Sequence, residues 1–498
     1  MQRKILTLLF IFLSSSFLMA QGAIKGNVVD LQTGEPLIAA NVLVEGTQTG
    51  AATDVDGEYI LRNLQPGTYT VRASYIGYQT VTVSNVRVSN ALTTELDFEL
   101  PPEGIEVGTV EIVADKPLIV KDNTNKIRIT SSEEIDALPV RGVDEIIGLT
   151  PGVVIKDEAV FIRGGRLDEV GFYLEGTNIK NPLLGGRSVT ISQDALEEIQ
   201  VQAGGYTAEF GGANAGIIRQ QLKSGGPQYN ASFEFITDNF TFEDEIVGAD
   251  KRLGAYSYGY NEAIASLSGP ILNERFRFFF NFNYRYEKDR TPQPYPGIDL
   301  GMIVDEQSRD SVDLRFPAGP VYGNQRQDYI YAGTINMDFK PILLRFSGTY
   351  TDFRSDANNQ QRADLVGNVE GFMNSRIGYN DGYNGTFNAK LTHILSPTVF
   401  YELQGGYFFD SWERLDPWLG DNYWDYGDSL ATAQAVGRDV WERSVKDIGG
   451  GFTGRYQSPT DVNVFGFQFI KDGAPPINYQ RNDRTSINVN GALSLLLG

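Results

Sequence analysis

Residues 275–288 read RFRFFFNFNYRYEK. Phe276, Phe278, Phe280, Phe282, Tyr284 and Tyr286 stand at every second position, with Arg277, Phe279, Asn281, Asn283, Arg285 and Glu287 between them. Successive strand side chains point to opposite faces, so this period of two predicts a strand with one aromatic face and one nearly all polar. Strands of soluble sheets run to about 5–6 residues, whereas a tilted strand crossing a bilayer needs roughly 9–11. The length of the run points to lipid as the medium its aromatic face meets.

The same alternation recurs from Tyr229 onward, in YNASFEF (229–235), YIYAGTINMDF (329–339), LRFSGTY (344–350), YNGTFNAKLTH (383–393) and VFYELQGGYFF (399–409). The connections alternate in length. Brief turns occur at SGPILNER, DFKPIL and ILSPT, and long polar loops span residues 288–327, 354–382 and 411–445. Transmembrane barrels have short periplasmic turns and long extracellular loops. The aromatic face at 276–286 is therefore expected to look outward, and Arg277, Asn281, Asn283 and Arg285 inward. His393 falls on an apolar face near a strand end, which reads as an interfacial side chain rather than a metal ligand. Roughly nine strands are expected after residue 229, short of an even-numbered closed barrel. An open sheet edge does not stand in hydrocarbon, so the chain is expected to be the N-terminal portion of a longer polypeptide.

Composition narrows the functional classes. The 498 residues include no Cys and one His, with a formal charge of −21. Disulfides, thiolate nucleophiles and thiolate metal sites are absent, and a lone His argues against a catalytic triad or a multi-histidine site. No enzyme activity and no cofactor are expected. The acidic balance argues against nucleic acid, which selects basic patches. The N-terminal MQRKILTLLFIFLSSSFLMAQG has Arg3 and Lys4, an apolar run too short to span a bilayer and small Ala20, the pattern of a secretory signal peptide over residues 1–20.

Residues 21–100 hold short alternating runs separated by TGEP, DVDGE and QPGT, the pattern of a small β-sandwich. Asp54 and Asp56 in TDVDGEY raise the idea of calcium, but the ligand series of an EF-hand loop is missing, and a hairpin turn at Gly57 is the favoured reading. The segment over residues 24–78, carried by TGEPL, TDVDGEY, LQPGTYTV and SYIGY, resembles the carboxypeptidase-regulatory-like (transthyretin-like) domain. That resemblance implies a non-catalytic module.

Residues 101–126 form a polar linker around one β-prone run: Thr109, Val110, Glu111, Ile112, Val113 and Ala114. The run reads either as an ordinary joining strand or as an extended peptide that adds to the sheet edge of a partner. Residues 127–226 are a mixed α+β unit. SSEEIDALPVRGVDEIIGLTPGV carries helical periods with Ser131 or Ser132 as cap and Glu134 in a first turn. AVFIRGGRLDEVGFYLEGTNI reads as two strands around a Gly-Gly turn, and DALEEIQVQAGG as a short helix leading into a strand. GGANAGII lacks the Lys and Ser/Thr of a phosphate loop, so Gly211, Gly212 and Gly216 read as backbone turns or close packing.

The ordered series LPVRGVDEIIGLTPGV, FIRGGR, FYLEGTNI, ALEEIQVQAGGYTAEFGGANAGII and LKSGG is similar to the plug domain of TonB-dependent outer-membrane receptors. The matching motif positions include Arg163, Gly164, Gly165, Arg166, Glu175, Gly176, Glu198, Glu209, Gly211, Gly212 and Gly216. GGRLDEVGFYLEG and IQVQAGGYTAEFG look closer to the Oar-like branch than to the SusC-like branch, for which a SusD-type surface lipoprotein would be the partner. The resemblance favours the second reading of residues 109–114, as a TonB box. It implies active uptake of a nutrient, a TonB-type energy-transducing inner-membrane protein as partner, outer-membrane lipid around the barrel, and a place in the Gram-negative outer membrane. A non-transporting adhesin or secretion-associated scaffold is the alternative.

The fold class expected is mainly β: a β-sandwich over 21–100, the linker, a plug over 127–226, and over 227–498 the first part of a transmembrane antiparallel β-barrel. Arg163 and Arg166, with Glu198 and Glu209, read as plug-to-barrel ion pairs or as solvated surface charges. Trp412, Trp418 and Trp424 among Asp421 and Asp425 read as a self-packed loop, with an aromatic and acidic platform for substrate as the sharper reading.

Overall fold

The computed structural model describes residues 22–47, 49–90, 92–102, 110–113, 127–156, 159–204, 206, 211–238, 243–244, 251–252, 255–256, 259–271, 273, 275–288, 293–295, 298–304, 311–316, 319–321, 325–356, 378–396, 399–437, 462–464, 467–469 and 479–495. The signal-peptide reading at 1–20, Thr109, Ala114 and Glu209 lie outside the described residues.

The first unit is a sandwich of two sheets. Strands β1 (Gly22–Asp30), β4 (Glu58–Leu64), β7 (Thr93–Glu95) and β8 (Phe98–Leu100) form one of them. The other has the order β3 (Gly50–Ala52), β2 (Asn41–Val44), β5 (Gly67–Ser74), β6 (Val81–Val88) and β9 (Val110–Val113). Alternate residues from both sheets, among them Ile24, Val42, Leu61, Val71, Val83 and Phe98, close over one core. The turn at Gly57 has φ +75, and the Asp54 carboxylate accepts from the backbone N–H of Asp56 and Glu58. That oxygen stabilises a hairpin, so local backbone bonding accounts for Asp54.

The second unit is built on a five-stranded sheet with the order β10 (Ile127–Ser131), β15 (Leu196–Gln202), β16 (Gly216–Leu222), β13 (Val170–Leu174) and β14 (Thr177–Asn178). A hairpin of β11 (Val153–Lys156) and β12 (Ala159–Ile162) and two short helices, α1 (Ser132–Ala137) and α2 (Val143–Gly148), pack on it. The Ser131 hydroxyl accepts from the Glu134 N–H, the N-terminal cap expected from SSEE.

The third unit is one antiparallel sheet of eight strands in chain order. These are β17 (Asn230–Thr237), β18 (Asn261–Pro270), β19 (Phe276–Glu287), β20 (Arg326–Phe339), β21 (Ile342–Asp356), β22 (Tyr379–Ser396), β23 (Val399–Leu415) and β24 (Gln480–Leu495). Eight strands, rather than roughly nine, pair in this sheet among the described residues. The strands also run into segments expected to be loop, and the 288–327 stretch contains short pairings of its own, Gln293–Tyr295 with Gly319–Val321 and Ile298–Val304 with Ser311–Phe316. Among the described residues no helix is long and apolar enough to cross a membrane, which says nothing of strands.

The dyad pattern sorts the two faces as read. Phe280, Phe346 and Phe387 are exposed on the outer face, while Asn281, Asp328, Thr351 and Thr386 are fully buried on the inner one. The inner face is buried because the plug fills it: Phe279, Ala332 and Phe408 of the wall enter the same apolar core as Ile135, Phe172, Leu174 and Ile199 of the plug. His393 stands at the outer-face end of β22, its Nδ1 3.0 Å from the Tyr401 hydroxyl.

Candidate functional site: the plug and its two contacts

The plug meets the wall at the two-residue turn between β13 and β14. Glu175 and Gly176 have φ values of 51 and 81, the double positive φ of a tight hairpin, which puts glycine at the second position without strain. The Glu175 carboxylate receives both prongs of Arg345 on β21, Nη2 to Oε1 at 2.8 Å and Nε to Oε2 at 3.0 Å. The Leu222 N–H adds a third bond at 2.8 Å, and both charged side chains are 5% exposed. Burial by itself raises the Glu175 pKa, but the Arg345 guanidinium and the Leu222 N–H outweigh it and hold the carboxyl below the usual range. Around the pair, the Gln404 side-chain amide donates to the Glu175 carbonyl and the Thr177 hydroxyl donates to Asn388. Gly406 allows this approach, because a Cβ there would strike Thr177.

A second wall contact gathers Arg141, which bonds Glu234 of β17 and lies 3.3 Å from Glu262 of β18. Higher on the wall, Thr351 and Asn384 bond the backbone of Thr190 at 3.1 and 3.0 Å.

The plug meets the sandwich on β15. Arg87 of β6 lies 3.0 Å from both Glu133 and Glu197 and donates to the Glu197 carbonyl. The Asn90 N–H donates to Glu198 at 3.0 Å, and the Gln200 amide donates back to the Asn90 carbonyl. Glu198 therefore faces the sandwich and is buried, which corrects both readings of it, a wall ion pair and a solvated surface charge. Burial pushes its pKa up against the opposing Asn90 N–H, and its Oε2 is buried without a hydrogen-bond partner among the described residues. Burial likewise raises Glu197, with Arg87 opposing. Of the two readings of Arg166, a wall ion pair or a solvated surface charge, the structure shows the second. Arg166 is exposed and pairs with Asp168 and Glu169 in its own turn, which Gly164 and Gly165 shape. Arg163 stands in that turn at φ 50, its N–H bonded to the Gly152 carbonyl. Gly211 and Gly212 lie in the turn before β16, and Gly216 opens that strand with no room for a Cβ beside Ile162.

The TonB-box-like run appears as β9, Val110–Val113, which adds in parallel to β6 in the register Val81 to Val110, Thr82 to Glu111, Val83 to Ile112 and Ser84 to Val113. The sandwich lies at the end of the sheet that carries the short turns. The Gly46 carbonyl accepts from Arg277 at 2.7 Å, and a cleft of about 1600 Å³ runs between the sandwich, the plug and Arg275 and Lys340 of that rim.

At the long-loop end the three Trp residues take different positions. Trp412 lies inside β23, on the inward parity of Glu402, Gln404 and Asp410, so the expectation that it belongs to the loop is corrected. Trp418 follows a turn in which the buried Asp416 accepts from the N–H groups of residues 418 and 419. Trp424 is 80% exposed beside Tyr423, which stacks on Tyr479 at 4.4 Å. Asp421 is exposed, and Asp425 accepts from the Asn422 amide. This is mainly a self-packed loop with one projecting indole.

The central groups that the residue patterns did not single out as contacts are Arg345, Gln404, Asn388, Arg87 and Asn90. Arg345 carried a signal, a long cation on the inward parity of LRFSGTY, but nothing in the sequence gave its partner.

Two family models match the chain: the CarboxypepD_reg-like domain over residues 24–112 and the TonB-dependent receptor plug domain over residues 120–217. The TonB-dependent transporter Oar of Myxococcus xanthus is 28% identical over 279 residues, covering 51% of this chain and 25% of that protein. The TonB-dependent receptor SusC of Bacteroides thetaiotaomicron is 30% identical over 259 residues, covering 47% and 25%. The matched stretch thus spans about a quarter of each relative's length. Among solved structures, the outer-membrane transporter YddB from Escherichia coli aligns with a TM-score of 0.42 at 12% identity, over 58% of this chain and 40% of that one. The chain thus carries a CarboxypepD_reg-like domain followed by a TonB-dependent receptor plug domain, and in sequence it is similar to a TonB-dependent transporter and a TonB-dependent receptor.

Proposed function

We propose that the chain belongs to an outer-membrane transporter that takes a nutrient, whether glycan, peptide or metal chelate, into the periplasm. The observation that carries this reading is a plug seated by buried polar contacts on the inner face of a lipid-type sheet, with the TonB-box-like strand at the short-turn end. That end is the periplasmic one in a transmembrane barrel. There an energy-transducing inner-membrane protein of TonB type would take residues 109–114 as an extended strand. The outer aromatic face would meet outer-membrane lipid, and the likeness to SusC supports a SusD-type surface lipoprotein as a further partner. Substrate would first meet the outer loops, where Trp424, Trp418, Asp421 and Asp425 lie, with Trp412 just inside the wall. Opening is then a load-driven displacement of the plug rather than catalysis.

Deleting residues 107–114 in the intact protein tests this. Cells would be given a labelled oligosaccharide, an oligopeptide and a ferric siderophore. A transporter keeps surface binding of its substrate and loses uptake. An adhesin or secretion scaffold is indifferent to the deletion, and that outcome overturns the reading.

A further inference from the structure

We propose that the sandwich is the resting seat of the TonB-box-like strand, and that the energising partner gains the strand only by exchanging it off the edge of β6. This rests on reading residues 109–114 as a TonB box. The observation behind it is the in-register parallel pairing of Val110–Val113 with Val81–Ser84, which makes the strand the end member of the sandwich's five-stranded sheet.

β6 has two halves with two attachments. Val81 and Val83 are buried in the first half and Val86 and Val88 in the second, a change of parity at Asn85, whose φ is 62. The pairing with β5 shifts register between Tyr69 and Val71, opposite this point. Such a bulge re-aims the strand. The first half carries β9, and the second delivers Arg87 and Asn90 to Glu133, Glu197 and Glu198 of the plug. The chain beyond the box returns to the same plug strand, since β10 pairs with β15 from Ile127 opposite Gln202 to Ser131 opposite Glu198.

Two routes therefore join the box to β15. While β9 is seated, a pull on it is borne by β6 and passes through Arg87 and Asn90. Once β9 has left, the pull passes along the chain to β10. Four residues in parallel register make a short pairing, and parallel ladders are the slightly weaker kind. A partner strand that pairs with the edge of β9 now facing β6 replaces like with like, so exchange is feasible without unfolding the sandwich.

The test uses the full chain in detergent and the periplasmic domain of the host's TonB-type protein. In the native protein, amide exchange at Val81–Ser84 is expected to quicken by about tenfold or more when that domain binds, because the edge of β6 is uncovered. As the chain has no Cys, a Thr82→Cys/Glu111→Cys pair, or Ser84→Cys/Val113→Cys, gives a single bridge. The bridge is expected to form, and the oxidised protein to bind the domain about tenfold or more weakly than the same protein reduced. Unchanged or slower exchange at Val81–Ser84 means addition to the outer edge of β9 and overturns the seat. Failure of both bridges to form, or equal or tighter binding when oxidised, overturns it too. If the native chain does not bind the domain at all, the TonB-box reading fails and the seat with it, a result distinct from the others.

Discussion

The plug is held by two contacts of opposite character. Against the wall, Glu175 and Arg345 are both 5% exposed and joined by two prongs, so removing either strands a buried charge. Against the sandwich, Arg87 is 23% exposed and shares itself between Glu197 and a largely solvated Glu133. Water can replace the Glu133 bond, which makes it weak, while Glu198 lies buried in the same contact. The wall contact is a closed, buried pair, whereas the sandwich contact is a mixed one with a solvated side.

The sharpest way to break this contrast is Arg345→Ala, expected to destabilise plug seating by about 3–5 kcal/mol. Denaturant unfolding in detergent, followed by protease attack on the plug, measures it, and a loss below about 1 kcal/mol would put the wall pair in the same class as a surface ion pair. Arg87→Ala comes next, at about 1–2 kcal/mol for sandwich docking. It should show as faster proteolysis between residues 101 and 126 with unfolding of the barrel sheet unchanged.

Acid should act on the two contacts in opposite directions. Glu175 titrates below its ordinary value, so its contribution is present above that value and is lost only as pH falls through the depressed one. Glu197 and Glu198 titrate above theirs, so their contribution is present at low pH and is lost as pH rises through the raised values. Lowering the pH from neutral toward about 5 should therefore slow cleavage between residues 101 and 126 and leave the plug seated. Glu198→Gln should flatten that response, and an unchanged response would assign it elsewhere. The smallest effect belongs to Trp424→Ala, expected to change stability by under about 0.5 kcal/mol. A weaker surface affinity for substrate in this variant would give the projecting indole a role in capture.

Period-two patterning made the wall legible, because every inward residue from Asn281 to Thr386 obeys the same parity. The Ser131 cap and the Gly57 turn were legible for a related reason, since local chemistry decides them. What stayed hidden was long range. Glu175 and Arg345 are 170 residues apart and Asn90 and Glu198 are 108 apart, and no local pattern specifies such pairs. Glu198 shows how this misleads: a carboxylate in a plug motif reads as a partner of the wall or of water, when its side chain is buried against the sandwich. The strand at 110–113 was legible as a strand but not as a neighbour of β6, because parallel pairing across a crossover carries no turn signature.

The shared core also carries an instruction about order of assembly. The plug precedes the wall in the chain, yet Phe279, Ala332 and Phe408 complete its apolar interior and Arg345 neutralises its buried carboxylate. A plug not yet joined by the wall is thus a domain with an unfinished core and an uncompensated acid. The wall strands pair strictly with their sequence neighbours and can be laid down one hairpin at a time. Each hairpin added offers the waiting plug another part of its missing interior. Maturation of the plug is expected to be timed by the wall, with its final set postponed until the strand carrying Phe408 is in place.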